Sequence, residues 1–415
     1  MLPLDQTWYR RLLGYALALG VAAGSLALLY SAATGAGMDL FFGDAGTDWW
    51  SGEWWWIPLI AGGGLLVALL RRWWEVPDDV PGAVPYAKQA WVDPASAPRL
   101  AAVSAVSLIF GASLGPSFGL VVMGGGLGAW VVSRASIDDE EASQQYVLSG
   151  MAGGLGSAFS APVFAAVMAS ELSPTEKRQY VAAFIPQLIA ATLGFVVFFG
   201  ITGRTMLDAY EVPQYEFEFF DLLIGVGLGV AGAAVLLVFV VVYRLVARVV
   251  TMVGNHLVRG VLGGALVGLI AVALPLTLTS GSGQLTTVIN NSTTYAAGFL
   301  VAVLLAKMVA VALSLSSGFL GGNVFPMVFI GGTSGVLIHL IIPDIPLSLA
   351  VAAMMAAVPG AFLTAPLSLI LIAAGTVGLD PRTIAPVAVA TVTAYLCMSA
   401  LRLVWTVVVD EAAAG

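Results

Sequence analysis

Two glycine-rich breaks in the apolar sequence, each carrying a proline, are its best candidates for a ligand-binding site. Segment 111–117 contains Gly115-Pro116, and segment 318–326 ends on Pro326 after a pair of glycines. A proline in the first turn of a helix leaves backbone N–H groups free at the helix start, and that end carries about half a positive charge. Two such starts aimed at one point would hold a small anion by partial charges that also let it leave. The alternative is that the glycines serve helix packing and the prolines only cap helices.

A third segment, 80–85, reads Val-Pro-Gly-Ala-Val-Pro and leads to Tyr86 and Lys88. Taken alone it favours an extended loop, because a residue before proline prefers extended backbone. Its alternative is a third helix start for the same anion.

Lys307 is a lone cation inside an apolar run. An ionisable residue within a membrane span is a candidate functional residue by default. Snorkelling to the membrane surface and pairing with a backbone carbonyl are the alternatives.

The residue groupings that enzymes need do not occur in this sequence. His256 and His339 lie in different segments, so no cluster has metal-ligand spacing. The glycine run 124–126 is not followed by the Lys-Ser of a phosphate-binding loop. The single cysteine, Cys397, excludes a disulfide framework and a thiolate metal cluster. We therefore expect no enzyme activity, no cofactor and no bound metal.

The composition places these breaks in a membrane. The chain has 415 residues, of which 59% are hydrophobic and 10% charged, against roughly 25% charged in soluble domains. A soluble domain must cover its surface with polar groups, whereas a chain solvated by a lipid bilayer need not. The net charge of −8 argues against a nucleic-acid partner. The sequence predicts an all-α integral membrane protein.

The apolar stretches predict tilted and broken helices rather than uniform spans. Forty-eight glycines and twenty prolines suit close helix packing and helices that break inside the bilayer. Runs 99–133 and 347–376 carry Gly-Pro or Ala-Pro breaks and are each long enough for two partial helices. The other apolar runs are 12–34, 57–70, 146–172, 180–202, 222–243, 257–278, 297–315, 324–342 and 384–408.

Basic residues concentrate in alternate loops, as at Arg10, Arg71, Arg134 and Arg244. By the positive-inside rule these loops and both termini face the cytoplasm of a plasma-membrane protein. The first apolar run extends beyond twenty residues without a processing site, so we interpret it as a span rather than a cleaved signal. The short tail after the last span leaves no room for a soluble regulatory domain, and we expect a single transmembrane domain over residues 1–415.

The order of breaks recurs along the chain. Gly115-Pro116 is followed by Ser160-Ala161-Pro162, and the break ending on Pro326 is followed by Thr364-Ala365-Pro366. The sequence thus predicts two inverted repeats, about 10–205 and 220–408. Broken helices at corresponding positions of two repeats indicate an ion or substrate site near the midplane of the membrane.

At these segments the sequence resembles the CLC family of chloride channels and chloride/proton exchangers. Five blocks match in order, and they cover most of the chain: 80–85 (the family's GSGIP), Ser113 to Ser117 (GREGP-T), Ser157 to Pro162 (AAFNAP), Ser316 to Pro326 (SSGxxGGIFAP) and Ala365 to Leu367 (RAPLTG). The resemblance implies a homodimer in which each subunit has its own pore and holds chloride or a similar small anion at helix N-termini.

Several family side chains are replaced in this sequence. Leu114 stands where the family has the gating glutamate of GREGP, and Gly82 stands where it has the anion-coordinating serine. Tyr395 lies too early in the last span for the family's inner-gate tyrosine. The family's inner glutamate aligns with Leu172, with Glu171 one residue before it. The sequence therefore resembles a divergent bacterial branch of the family that lacks the gating glutamate.

What remains to coordinate an anion is mainly backbone. We expect Leu114 to form an apolar gate that closes by dewetting, with Ser113, Ser117 and Asn323 as polar helpers. The expected anion-binding residues are Gly82, Ala83, Val84, Ser113, Leu114, Gly115, Ser117, Gly322, Asn323, Val324 and Phe325.

The loss of the outer carboxylate favours a channel or uncoupled carrier that passes chloride down its gradient. The alternatives are a proton-coupled chloride or fluoride antiporter that uses Glu171, and a scaffolding protein that no longer conducts.

Overall fold

The computed structural model describes residues 6–43, 52–159, 161–173, 180–204, 210–363 and 365–414, with side chains as far as residue 401. Ser160 and Thr364 of the predicted repeat lie outside these residues. The described residues form helices and one isolated backbone bridge, without a β-strand, so the predicted all-α fold is confirmed. The helices are α1 Thr7–Phe42, α2 Trp56–Trp73, α3 Ala83–Gln89, α4 Ala97–Ile109, α5 Ser117–Ala135, α6 Glu140–Phe159, α7 Pro162–Leu172, α8 Tyr180–Thr202, α9 Asp221–Val250, α10 His256–Ala273, α11 Ser282–Asn290, α12 Ala297–Ser316, α13 Val324–Ile341, α14 Leu347–Leu363, α15 Pro366–Val377 and α16 Ile384–Ala414.

Helix lengths divide the chain into full and partial membrane spans. Nine helices within the described residues are long and apolar enough to cross a membrane, whereas α4, α7, α14 and α15 are shorter. The predicted breaks are confirmed: run 99–133 divides into α4 and α5, and run 347–376 divides into α14 and α15. The chain is a multi-pass membrane protein with broken helices.

The chain packs as two compact units. The first consists of the described residues within 1–208, 243–284 and 306–326, and the second of those within 209–242, 285–305 and 327–415. In the first unit, α5 crosses α6 at Gly124 and Gly150, where a Cβ on either glycine would lie within 2.2 Å of the other's carbonyl oxygen. In the second unit, α14 is buried almost throughout and packs against α15 and α16. Small residues thus let neighbouring backbones touch, as predicted from the glycine content.

Segment 80–85 differs from the favoured prediction of an extended loop, because helix α3 begins at Ala83. Gly82 is its N-cap in extended backbone, and Pro85 lies in the first turn, where its missing N–H is not needed. Val80 and Val84 each precede a proline, and each taken alone favours extended backbone. The helix becomes evident only when the whole of Ala83–Gln89 is considered.

The start of α16 provides a test at the protein surface. Asp380 accepts backbone hydrogen bonds from Thr383 at 3.0 Å and Arg382 at 2.8 Å, and these bonds hold the pKa of its carboxyl below the ordinary value. A carboxylate whose pKa is lowered by folding stabilises the folded state above its unfolded pKa and loses that contribution as pH falls through the folded pKa. We expect Asp380→Ala to lower the midpoint of thermal unfolding at neutral pH, and we expect the difference from wild type to shrink in acid.

Glu216→Ala, which removes an exposed acid from the loop before α9, is the control. If the Asp380→Ala difference were the same at acidic and neutral pH, the carboxylate would not be acting as a cap.

A candidate anion site at two helix starts

The two glycine-rich breaks meet through their backbones. The amide of Gly115 donates to the carbonyl of Gly322, and the amide of Gly322 donates to the carbonyl of Gly115, both at 2.7 Å. This antiparallel bridge lies directly before the starts of α5 and α13. The two helix starts therefore lie side by side in the first unit, as the sequence predicted.

Buried serines reinforce the meeting point in a reciprocal pattern. Ser107 of α4 accepts from the amide of Leu320 in the second break at 3.0 Å. Ser314 of α12 accepts from the amide of Ser113 in the first break at 3.1 Å. Each serine hydroxyl donates in turn to the carbonyl four residues earlier in its own helix. Each break is thus held by a hydroxyl from the helix that precedes the other break.

The two breaks follow the same pattern at a constant separation of 207 residues (314 minus 107). The same separation relates the bridging glycines, and it also relates Gly111 and Gly318, which have φ values of +80° and +98°. A positive φ is a conformation that glycine adopts without strain. Aligning the repeats on Pro116 and Pro326, three residues out of this register, would have missed the correspondence.

Three of the amides predicted to bind an anion form hydrogen bonds within the protein. The amides of Gly115 and Gly322 bond each other's residues, and the amide of Leu114 donates to the carbonyl of Ala112 at 2.7 Å. The Ser113 hydroxyl is also paired, because it donates to the carbonyl of Thr277 at 3.0 Å. The physical reason is that buried backbone must be paired, and two adjacent extended breaks pair with each other.

The backbone N–H groups of the first residues of α5 and α13 have no acceptor within their own helices. α5 has no side-chain cap, so the amides of Ser117 and Phe118 have no acceptor within the helix. The Ser117 hydroxyl is buried and has no hydrogen-bond partner among the described residues. At α13, the amides of Val324 and Phe325 occupy the equivalent first turn. Half-buried Asn323 precedes them and adds a side-chain amide.

Each break lies over the start of the opposite helix. A Cβ on Gly322 would lie 1.8 Å from Ser117 Oγ and 3.0 Å from the Phe118 amide nitrogen. A Cβ on Gly115 would lie 2.9 Å from Phe325 Cβ. Glycine is required at both positions because no other residue lets the helix start and the break approach so closely.

This packing predicts the effect of adding one methyl group. We expect Gly322→Ala to destabilise the protein by about 2 kcal/mol, because the alanine Cβ overpacks a fully buried contact. Gly227→Ala is the control, since a Cβ at that helical glycine of α9 has nothing within 4 Å. Thermal unfolding in detergent measures both. Equal midpoints for the two variants would contradict the packing described here.

The Leu114 side chain lies where the two breaks meet. It is fully buried and lies on the second break, where a Cβ on Gly321 would be 2.5 Å from Leu114 Cβ. Ser117, Val324 and Phe325 are also at most 2% exposed. The first residues of both helices are therefore buried beside Leu114.

Aromatic rings connect the helix starts to their neighbours. Phe159, the last residue of α6, stacks on Phe325 with ring centroids 4.9 Å apart and meets Phe164 of α7 edge-on at 4.7 Å. Tyr86 of α3 lies 6.2 Å from Phe118 of α5. Ring contacts thus join the starts of α7 and α13 through Phe159, and join α3 to the start of α5.

The third predicted segment forms the start of α3, which lies next to α5. Gly82, Ala83 and Val84 form the start of α3, and the Tyr86 amide returns to the Gly82 carbonyl at 3.3 Å. Helix α3 packs against α5 and α7. The amides of Ala83 and Val84 remain at the open end of this short helix.

Lys307 lies close to the first break. Its fully buried ammonium donates to the carbonyls of Thr277 at 3.1 Å and Thr279 at 2.7 Å, so the alternative of pairing with carbonyls is confirmed. Ser113 donates to the same Thr277 carbonyl. The Lys307 side-chain nitrogen and Ser113, the residue that precedes Leu114, thus share one acceptor.

Glu171, Leu172 and Tyr395 belong to helices other than α5 and α13. Glu171 is in the last turn of α7, at the opposite end of that helix from Phe164, and is partly exposed. Leu172, the aligned position, is buried. Tyr395 is a half-buried residue of α16 in the second unit.

Sequence reasoning missed Ser107, Ser314 and Thr277. A signal for the two serines was present, because Ser107 and Ser314 each stand four residues before a glycine of positive φ. Thr277 carries no such signal, since only the folded chain brings its carbonyl to Lys307 and Ser113.

Comparison of this sequence with known proteins identifies one family. Residues 63–399 match the family described as voltage gated chloride channel. An uncharacterized protein of Methanocaldococcus jannaschii is 30% identical over 225 residues, which are 52% of this chain and 56% of that protein. The chain spans between 48% and 62% of the length of the curated relatives it matches first.

Solved structures share the fold over nearly the whole chain. A slow cyanobacterial Cl⁻/H⁺ antiporter superposes with a TM-score of 0.80 at 19% identity, covering 97% of this chain and 98% of the antiporter. A CLC-type fluoride/proton antiporter gives 0.75 at 20% identity, covering 93% and 95%. The family match covers most of the sequence, and the fold agrees with it. This chain belongs to the CLC family of voltage gated chloride channels.

Proposed function

We propose that this protein passes chloride or a similar small anion through the membrane as a channel or uncoupled carrier. The observation that carries the proposal is the Gly115–Gly322 bridge, which sets the starts of α5 and α13 side by side. Their combined N–H groups and partial positive charge form a place where a dehydrated anion is stabilised without a salt bridge. Partial charges in a low-dielectric interior bind an anion strongly enough to admit it and weakly enough to release it.

The absence of a carboxyl group at position 114 supports uncoupled movement. Leucine cannot carry a proton, and its buried side chain lies at the meeting point of the breaks. A proton therefore has no carrier at the position where the family resemblance implies one. Leu114 would act instead as an apolar gate that opens by side-chain displacement and wetting.

A reconstituted flux assay tests this function. Protein in liposomes would be given a chloride gradient while chloride and proton movement are recorded together. We expect chloride flux without proton movement against its own gradient. Chloride-driven proton uptake would contradict uncoupled transport, and no anion flux at all would favour the scaffolding alternative.

Proton-coupled chloride or fluoride antiport is the second candidate. The two similar solved structures described above are those of proton antiporters, and Glu171 is an acid in the last turn of α7. If this candidate holds, proton uptake occurs with wild type and disappears in Glu171→Gln while anion flux persists. Running the same assay with fluoride distinguishes the two anions.

The family resemblance supports a proposal for the assembly, and the distribution of basic residues supports one for the topology. We propose a homodimer in the plasma membrane, with both termini cytoplasmic and two inverted repeats of about 10–205 and 220–408. The recurring 207-residue separation of the two breaks supports the repeat. Cross-linking in native membranes tests the dimer, and accessibility of Arg10 and Arg134 to impermeant reagents after cysteine substitution tests the topology.

A further inference from the structure

A cavity of about 520 Å³ lies in the first unit, between the end of α2, the start of α10 and residues 317–318. Five charged residues line it, in contrast to the apolar helix starts described above. We call it the arginine cavity; the residues that matter to it are Arg71, Arg72, Glu75, Asp78, His256, Arg259, Ser317 and Gly318.

Arg71 is built into the wall of the arginine cavity. The residue is 8% exposed, and its Nη1 donates to the Gly318 carbonyl at 2.8 Å. Nη2 donates to the Pro77 carbonyl. These bonds fix the guanidinium in place, so its Nε donor is oriented before any ligand arrives.

Three donors of the cavity wall have no partner within the described part of the chain. They are Arg71 Nε, Arg259 Nε and the Ser317 hydroxyl, all of them buried. Buried donors in folded proteins are nearly always paired, and an unpaired one costs free energy. Three of them around one cavity point to a ligand that accepts hydrogen bonds.

The charges of the wall favour an anion. Three arginines face two acids, Glu75 and Asp78, which leaves one excess positive charge with His256 neutral. Asp78 is 63% exposed and contacts Arg71 at 3.9 Å and His256 at 3.3 Å. Its carboxylate therefore occupies part of the space that an anionic ligand would use, and an arriving anion would compete with it.

We propose that the arginine cavity binds a phosphate group. A tetrahedral oxyanion offers several acceptors at once and matches the forked donors of arginine. The cavity is much larger than a single halide ion needs. Side chains carry the binding, because Asn255 already satisfies the amides of Leu257 and Val258 at the start of α10. The proposal does not depend on anion transport.

Phosphate-dependent thermal stabilisation of the purified protein tests the proposal. Full-length protein in detergent is titrated with sodium phosphate, and sodium chloride at equal ionic strength serves as the comparison. A second arm uses nanodiscs of phosphatidylcholine with and without phosphatidic acid. Stabilisation by free phosphate identifies a soluble ligand, and stabilisation only by phosphatidic acid identifies a lipid headgroup; both support the site.

Four variants make the test specific. We expect Arg259→Gln to weaken phosphate binding about tenfold, as for the loss of one charge-assisted hydrogen bond, and Arg72→Gln at the exposed edge to weaken it less. Asp78→Asn is expected to tighten binding because it removes the competing carboxylate. Arg248→Gln removes the same charge from an exposed position of α9 outside the cavity and should behave as wild type.

The opposite signs for Arg259→Gln and Asp78→Asn keep the result separate from simple misfolding, which weakens binding in both. The proposal is overturned if neither phosphate nor phosphatidic acid stabilises the protein more than chloride. It is also overturned if Arg248→Gln weakens binding as much as Arg259→Gln.

Discussion

Replacing Leu114 with glutamate is expected to make anion flux depend on pH, with flux rising as pH falls. The ionised carboxylate would be placed beside the starts of α5 and α13, where the unpaired amides and the helix dipoles stabilise a negative charge. It would then compete with the permeating anion. Protonation removes the competing charge, so we expect about tenfold more flux on the acidic side of the carboxyl's titration than on the alkaline side.

Shortening the side chain at position 114 tests whether its bulk, rather than its charge, controls anion flux. We expect Leu114→Ala to raise anion flux severalfold, because it empties the apolar constriction and lets water enter. The same change should cost about 2 to 5 kcal/mol of stability. Leu148→Ala, at an equally buried leucine of α6, is the matched control and should lose stability without gaining flux.

Liposome flux of both Leu114 variants, measured across a pH series, checks these expectations. If the Leu114→Glu protein conducts equally at every pH and Leu114→Ala conducts like wild type, Leu114 is not at the gate.

Removing the charge of Lys307 is expected to weaken anion binding about tenfold. A unit charge within about 10 Å of an anion contributes on the order of 1.5 kcal/mol at an effective dielectric constant near 20, and the ammonium shares its Thr277 acceptor with Ser113 of the first break. Lys307→Met keeps the length and bulk of the side chain. Isothermal titration with chloride, together with flux at limiting chloride, measures the loss.

The stability of the Lys307→Met variant separates an electrostatic role from a structural one. Lys307→Met removes the cost of burying an amine, which offsets the loss of its hydrogen bonds to the carbonyls of Thr277 and Thr279. We therefore expect an unfolding midpoint close to that of wild type together with weaker chloride binding. Unchanged chloride affinity in a folded Lys307→Met protein would show that the lysine only holds the carbonyls of Thr277 and Thr279.

The convergence of the breaks could be predicted from the sequence because glycine, proline and their order carry local information. The positions at which α4, α5, α14 and α15 begin and end follow from residues such as Gly111 and Pro366, which restrict the backbone wherever they occur. Family resemblance then placed the same segments at a common site. These features depend on short stretches of chain, which is why no structure was needed to find them.

Which backbone amides remain unpaired could not be predicted from the sequence in the same way. Whether the amide of Gly115 faces an anion or a carbonyl depends on Gly322, which is distant in sequence and becomes a neighbour only through folding. The bridge pairs the amides of Gly115 and Gly322, which the sequence analysis had assigned to the anion. The candidate site therefore moves to the first turns that begin at Ser117 and Val324. The arginine cavity was missed for the same reason, since its wall comes from segments far apart in the chain.

Locating a bound anion is the most direct test of the central claim that backbone donors at the starts of α5 and α13 form the anion site. Crystals grown in bromide would be measured at the bromine absorption edge, so that the anomalous signal marks the ion. We predict a peak within hydrogen-bonding distance of the first-turn amides at Phe118, Val324 or Phe325. Bromide found only beside cationic side chains, with none at these amides, would contradict the account.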